Sequence, residues 1–144
     1  MKRILVLVCF ALFLGSLVSV GSAAAANRFV NNNDGTVTDT QTGLLWADHD
    51  SGVDNTWYNA DYFCKNYSGG GKTGWRMPSA AELLALHAGG AYGSVIKKTG
   101  DFLWASETVG GTHGYTVSFV SGEKYYVLLG NAYKTRALPV RSGQ

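Results

Sequence analysis

Residues 74–86, Gly-Trp-Arg-Met-Pro-Ser-Ala-Ala-Glu-Leu-Leu-Ala-Leu, restrict what this chain can fold into more than any other stretch. Alternation puts Trp75 and Met77 on one side of a short extended segment. Pro78 ends that segment, because it disfavours helical geometry in the residue before it. Ser79 followed three residues later by Glu82 is the signature of a capping box, so a helix opens here. Leu83, Leu84 and Leu86 give the helix one apolar stripe, and Gly89 with Gly90 stops it. The pattern dictates a strand-to-helix junction with Trp75 as its packing anchor. Arg76 lies beside it, paired with a carboxylate or with buried carbonyls.

The first 26 residues read differently. Lys2 and Arg3 precede an apolar run over residues 4–20, and the small residues 21–26 supply an Ala-x-Ala site. That is the pattern of a secretory signal peptide cut after Ala26, and Cys9 leaves with it. Gly15, Ser16 and Ser19 interrupt the run and weigh against a membrane anchor. The 144 residues less this leader leave 118, one domain over residues 27–144 with enough length for a core. Its expected location is the periplasm, the cell surface or the medium, with no membrane contact after cleavage.

Export also changes the charge balance. Of 12 basic residues, Lys2 and Arg3 go, leaving 10 against 10 acidic ones. No cationic field then argues for nucleic acid, and anion binding has to come from a local patch. Cys64 stays as the one cysteine of the mature chain. It is an intermolecular bridge or a buried thiol, not half of an intrachain disulfide, so a homo-oligomer stays open.

Along the mature chain, Phe29 and Val30 lead into a polar turn with Asp34-Gly35, and Thr36-Val37-Thr38 leads out of it as a hairpin. Gln41-Thr42-Gly43 returns the chain into Leu44-Leu45-Trp46. Asn31, Asn33, Asp34 and Asp39 are oxygen ligands, but hairpin turns use the same residues and no calcium-loop pattern is met. Residues 47–55, with Asp48, His49, Asp50 and Asp54, read as a solvated polar loop. A helix capped by Asn55 or Thr56 follows, with Trp57, Ala60, Phe63, Cys64 and Tyr67 on one face before Gly69-Gly70-Gly71. Residues 101–106 look like a strand, 107–114 like a Gly-rich connection, 115–120 and 124–129 like a hairpin, and 137–141 like a last strand. Pro139 places that last strand at an edge or bulge. Two helices followed by antiparallel strands make the class α+β.

The search for enzyme chemistry finds little. His49, His87 and His113 lack metal-ligand spacing, and no phosphate loop or Gly-x-Ser-x-Gly turn is present. Ser79 is better used as a cap than as a nucleophile, and Cys64 lies on an apolar helix face. The reading is non-enzymatic, with no cofactor and no metal. A binding rim is easier to assemble. His113, Lys124, Tyr126, Tyr133, Lys134 and Arg136 flank the C-terminal strands, where rings suit sugar faces and cations suit sulfate or carboxylate.

Several of these stretches carry a resemblance. They are Arg-Phe-Val-Asn-Asn-Asn-Asp-Gly-Thr-Val-Thr-Asp at 28–39, Thr-Gly-Leu-Leu-Trp at 42–46, and Trp57 with Ala60 and Cys64. Further on come Gly-Trp-Arg-Met-Pro-Ser at 74–79 with Glu82, Leu-Trp-Ala-Ser-Glu at 103–107, and the closing Val140-Arg141. Together they resemble the family defined by the C-terminal domain of the collagen-like adhesin Lcl, a bacterial exported domain of the C-type-lectin-like superfamily. The resemblance implies two helices packed on antiparallel sheets, long ligand-bearing loops and termini close together. It makes Trp46, Trp57, Cys64, Trp75, Arg76, Pro78, Ser79, Glu82 and Trp104 structural. It also implies binding to sulfated glycosaminoglycans or related surface polymers, through a trimer. Pro139 stands where the family commonly has a second cysteine, and no collagen-like segment precedes the domain in this sequence, so the trimer is not carried over.

The Trp-Arg-Met-Pro segment is also similar to one in formylglycine-generating oxidases, but the reactive cysteines of that chemistry are missing. So are the Glu-Pro-Asn, Gln-Pro-Asp and Trp-Asn-Asp motifs of calcium-dependent lectins. The expected function is an exported module that binds an extracellular polysaccharide or a surface protein. The alternative is a structural or assembly subunit docking on a larger envelope complex.

Overall fold

The computed structural model describes residues 27–144. The expected leader and Cys9 lie outside the described residues. The chain begins with β1 (Phe29–Asn31), β2 (Thr36–Asp39) and β3 (Leu44–Ala47), joined by two tight turns. The Asn/Asp run serves those turns. Asn31 Oδ1 accepts from the Asn33 N–H at 2.8 Å, and Asp34 Oδ1 from the Thr36 N–H at 3.0 Å. Asp39 takes both ends of the Arg28 guanidinium at 2.8 and 2.7 Å, the Gln41 N–H at 3.0 Å and the Thr42 hydroxyl at 2.8 Å.

Helix α1 (Trp57–Lys65) starts where Thr56 Oγ1 accepts the Asn59 N–H, and it buries Ala60 and Cys64. It ends two residues before Tyr67 and is followed by a short 3-10 turn, Gly69–Gly71. The expected junction is present. Trp75 and Met77 are buried and Arg76 is exposed between them. In α2 (Ala80–Gly89) Ser79 Oγ accepts the Glu82 N–H at 3.1 Å while Glu82 Oε2 accepts the Ser79 N–H at 2.8 Å. Arg76 clamps the same carboxylate at 2.9 and 2.8 Å, and Gly90 takes the left-handed conformation that closes the helix. Ser79→Ala is expected to cost about 1 kcal/mol in urea melts, because one N-terminal N–H loses its acceptor while Arg76 still holds Glu82 in place.

The C-terminal half supplies β4 (Phe102–Val109), β5 (His113–Ser118), β6 (Lys124–Leu128), β7 (Thr135–Arg136) and β8 (Val140–Ser142). Two four-stranded sheets result, ordered β1-β2-β3-β8 and β6-β5-β4-β7. The first is antiparallel throughout. The second is mixed, because β7 runs parallel to β4. The class is α+β, as expected.

One core joins β2, β3 and β8 to α2 and to Leu103, Ala105 and Val117 of the second sheet. A smaller one packs Ala60 and Cys64 of α1 with Met77, Trp104 and Ala137. The second sheet therefore carries α2 on one face and α1 on the other. The ends meet as the resemblance implies, since Thr40 N–H donates to the Arg28 carbonyl and Gly143 N–H to the Gly43 carbonyl, flanking one turn.

Three expectations need correction. The stretch 107–114 is not one loop. Strand β4 runs on past a bulge to Val109, and His113 already pairs with it. The last strand begins after Pro139 rather than around it. Pro139, which has no N–H to donate, gives its carbonyl to the Ala47 N–H at 2.9 Å, while Val140 exchanges bonds of 2.9 and 3.0 Å with Arg76. The polar loop 47–55 is not solvated throughout, because Asp50 is only 1% exposed.

Burial pushes the Asp39 carboxyl upward, but bonds from Arg28, Thr42 and the Gln41 N–H outweigh it and leave the pKa lowered. In Glu82 burial is likewise outweighed, by Arg76 and Ser79. Depressed folded values mean that the stabilisation is fully present above the unfolded values of about 4 and is lost as pH falls through the folded ones. Urea midpoints should therefore drop below about pH 4, and Asp39→Asn should flatten part of that drop.

Candidate functional site

Strand register decides how the expected rim is assembled. Ser118 N–H donates to the Glu123 carbonyl and Leu129 N–H to the Thr112 carbonyl. Residues 123, 125, 127 and 129 therefore turn their backbone groups toward β5, and 124, 126 and 128 turn theirs away. Side chains alternate as well, so the rim divides between the two faces of the sheet. On one face Tyr126 lies opposite Tyr115 and their rings meet edge-on at 5.6 Å, with His113 6.3 Å from Tyr126. Lys124 Nζ sits 4.2 Å above the Tyr115 ring.

On the other face Tyr125 lies opposite Thr116 and its ring meets Phe102 at 6.3 Å. The chain between β6 and β7 raises Asn131, Tyr133 and Lys134 beside them, and the result is a groove of about 530 Å³. Tyr126, on the edge strand, borders this groove too. The ligand set read from the sequence omitted Tyr125; the signal for it was its position next to Tyr126 in the same exposed strand.

Two cations at the rim are available to a ligand. Among the described residues neither Lys124 nor Lys134 has a carboxylate within salt-bridge distance. Lys134 Nζ lies 5.1 Å from the Tyr133 ring centre, and its backbone is left-handed at φ 58°. A lysine held there is strained, a conformation that glycine takes without penalty. Tyr126 and Tyr133 are 63% and 69% exposed, so each offers most of its ring.

Arg136 does not belong to the rim. Its guanidinium pairs with Asp54, and its Nε donates to Thr99 Oγ1 at 3.0 Å, leaving the side chain 15% exposed. Those bonds pin β7 to the loops before α1 and β4, and they occupy the edges an anion would need.

Trp46, Trp75 and Trp104 are buried, Trp57 donates from Nε1 to the Ala105 carbonyl, and the Pro78 carbonyl takes the Ser106 N–H. Cys64 is fully buried, and burial, with Asp61 nearby, pushes its thiol far above the usual range. Of its two readings the buried thiol is the one the fold supports. An intermolecular bridge would require α1 to come off the sheet.

A second cleft lies elsewhere, about 930 Å³ between α1, the loop 53–55 and the turn at Asp34, and it shares no lining residue with the groove at the rim. No signal in the sequence marked it, since its walls come from three separate stretches. Among the described residues no helix is long and apolar enough to cross a membrane. The family model described as the Lcl C-terminal domain matches residues 35–141. Among curated proteins no match is found.

Proposed function

The chain belongs to the Lcl C-terminal domain family, and on that premise we propose that it is an exported, non-enzymatic module that binds an anionic polysaccharide along the β6 rim. The observation that carries the reading is the placing of unneutralised lysines against tyrosine rings, Lys124 over the half-buried Tyr115, whose ring meets the exposed Tyr126, and Lys134 beside the exposed Tyr133. An ammonium held over a ring gives sulfate or carboxylate a charged donor, and the ring gives a pyranose its apolar face. Export rests on the leader pattern of residues 1–26. A non-catalytic role is supported by the employment of the two nucleophile candidates, Ser79 as a helix cap and Cys64 as a core residue.

The test is binding of residues 27–144 to heparin, to polygalacturonate and to neutral dextran. Affinity for the anionic chains should fall as ionic strength rises from about 0.01 to 0.15 M, where the Debye length shrinks from about 30 to about 8 Å. Lys124→Ala combined with Lys134→Gly should weaken binding about tenfold per lysine, each loss being one charge-assisted contact. Lys134→Gly also relieves the left-handed backbone, so the fold should not suffer. Binding that ignores salt, or that survives both substitutions, would sink the proposal.

A second reading, an assembly subunit, is favoured by β6 itself. This edge strand turns the backbone groups of Lys124 and Tyr126 outward, exposes Tyr125, Tyr126 and Leu128, and contains no proline. Sedimentation that finds a monomer at every concentration, together with glycan binding, would count against it.

A further inference from the structure

The cleft beside α1 has a lining of unusual chemistry. Asn59, Tyr62, Phe63 and Asn66 project from the helix and its end, Asp54 from the preceding loop and Asp34 from the first hairpin turn. No lysine, arginine or histidine lines it. Its polar groups are partly unspent. The Asn59 amide makes no side-chain hydrogen bond among the described residues, and Asn66 donates to the Tyr62 carbonyl but leaves its own Oδ1 free. Asp34 uses Oδ1 for Thr36, and Asp54 uses Oδ1 for Arg136, so each keeps a second oxygen. Tyr62 is 71% exposed above them.

The walls are already fixed. Tyr67, two residues past the end of α1, donates its hydroxyl to the Gly35 carbonyl at 2.5 Å, and Gly70 N–H donates to the Asp34 carbonyl at 2.9 Å. Burial, with Asp48 and Asp34 close by, pushes the Tyr67 hydroxyl up to about 12, so it remains a donor at neutral pH. A site held in shape before binding loses less on association.

Each simple ligand class can be weighed against this lining. A sulfated or carboxylated chain meets two carboxylates and no cation. A purely apolar ligand would cover amide and carboxylate oxygens without pairing them. A cation finds Asp54 already neutralised by Arg136, which leaves Asp34, among the described residues, as a single unpaired carboxylate with one free oxygen. An uncharged ligand with many hydroxyls and one apolar face satisfies all of them, and the volume lies within the range of small-ligand sites. We propose that this cleft is a second carbohydrate site that takes a neutral oligosaccharide, with Tyr62 stacked on a pyranose ring and Asn59, Asn66, Asp34 and Asp54 bonded to its hydroxyls. It is independent of the β6 rim and opposite in its charge preference.

The test is amide-shift titration of residues 27–144 with maltohexaose, cellohexaose and chitohexaose, each at about 0.15 and about 0.5 M NaCl. At least one hexasaccharide should shift amides within 53–71 and around Asp34, with an affinity unaffected by salt. Tyr62→Ala and Asn59→Ala, both at exposed positions, should each weaken it about tenfold. The Lys124→Ala/Lys134→Gly variant should bind as the parent does, which separates this site from the rim. The proposal is overturned if none of the three shifts the cleft, if affinity falls with salt, if Tyr62→Ala binds unchanged, or if only the fully deacetylated, cationic form of chitohexaose binds.

Discussion

Trp104→Ala is expected to lower unfolding stability by about 4 to 5 kcal/mol, the upper part of the range for removing a buried tryptophan. The ring is fully buried, against Ala60 and Cys64 of α1, Met77 and Ala137. Three of those four are small side chains that cannot fill the space, and Trp57, Phe63 and Val127 pack around the cluster's margin, so most of the cavity stays open. The hydrogen bond adds little. Trp104 Nε1 donates to the Asn55 carbonyl at 2.7 Å, but Thr135 Oγ1 donates to the same carbonyl at 2.8 Å and keeps it satisfied after the substitution. Gly114 reports how tight the site is, because a Cβ there would come within 3.1 Å of the Trp104 ring and 2.8 Å of Trp57. Trp75→Ala should cost about 3 kcal/mol, since that ring packs edge-on against Tyr67 at 4.7 Å outside the two main cores. Urea melts of both variants decide the order. A Trp104→Ala loss below about 1 kcal/mol would show that α1 contributes little to holding the second sheet.

The order of those two tryptophans also shows what could be read in advance. Trp75 stood out because its neighbours carry local chemistry, a proline, a capping box and a leucine stripe, all within a dozen residues. Trp104 stood in a plain strand, and nothing near it in sequence says that α1 will land on its face. The same division runs through the molecule. Helix α2, the start of α1 and the hairpin between β5 and β6 follow from caps, turns and alternation that lie within a few residues of each other. The parallel β7, the bond from Arg136 to Asp54 and the cleft by α1 depend on stretches far apart in the chain. The rim lies between these cases. Period-two alternation already separates Lys124 and Tyr126 from Tyr125. Only the path of residues 129–134 over the sheet turns Tyr125, Tyr133 and Lys134 into a groove. Arg136 looked available for the same reason that Asp50 looked solvated, since apart from the Gly52 N–H on Asp50 their partners lie more than 35 residues away.

Asp50→Ala is the second large effect, expected at about 4 kcal/mol. Its carboxylate is buried and accepts four donors, the Tyr92 hydroxyl at 2.5 Å, the Thr99 N–H at 2.6 Å, the Thr99 hydroxyl and the Gly52 N–H at 2.9 Å. It thereby ties the loop after β3 to the segment leading into β4, beside the strand-like bonds that Asp48 and Asp50 exchange with Lys97. Alanine removes every acceptor at once. Tyr92 retains a weaker outlet to the Gly100 carbonyl at 3.1 Å, while the Thr99 N–H, part-buried on an otherwise exposed residue, loses its protein acceptor at a cost of about 1 kcal/mol. The lost charge-assisted bonds make up the remainder. Asp50→Asn should cost less, about 2 kcal/mol, because one amide oxygen still accepts while the amide nitrogen faces a donor. Tyr92→Phe should cost about 1 kcal/mol, since three donors still reach Asp50. This ordering, alanine above asparagine above the phenylalanine variant, is what urea melts should return. Equal losses for Asp50→Ala and Tyr92→Phe would mean that Asp50 acts only through Tyr92, and that the junction between the two loops is held by its backbone bonds to Lys97.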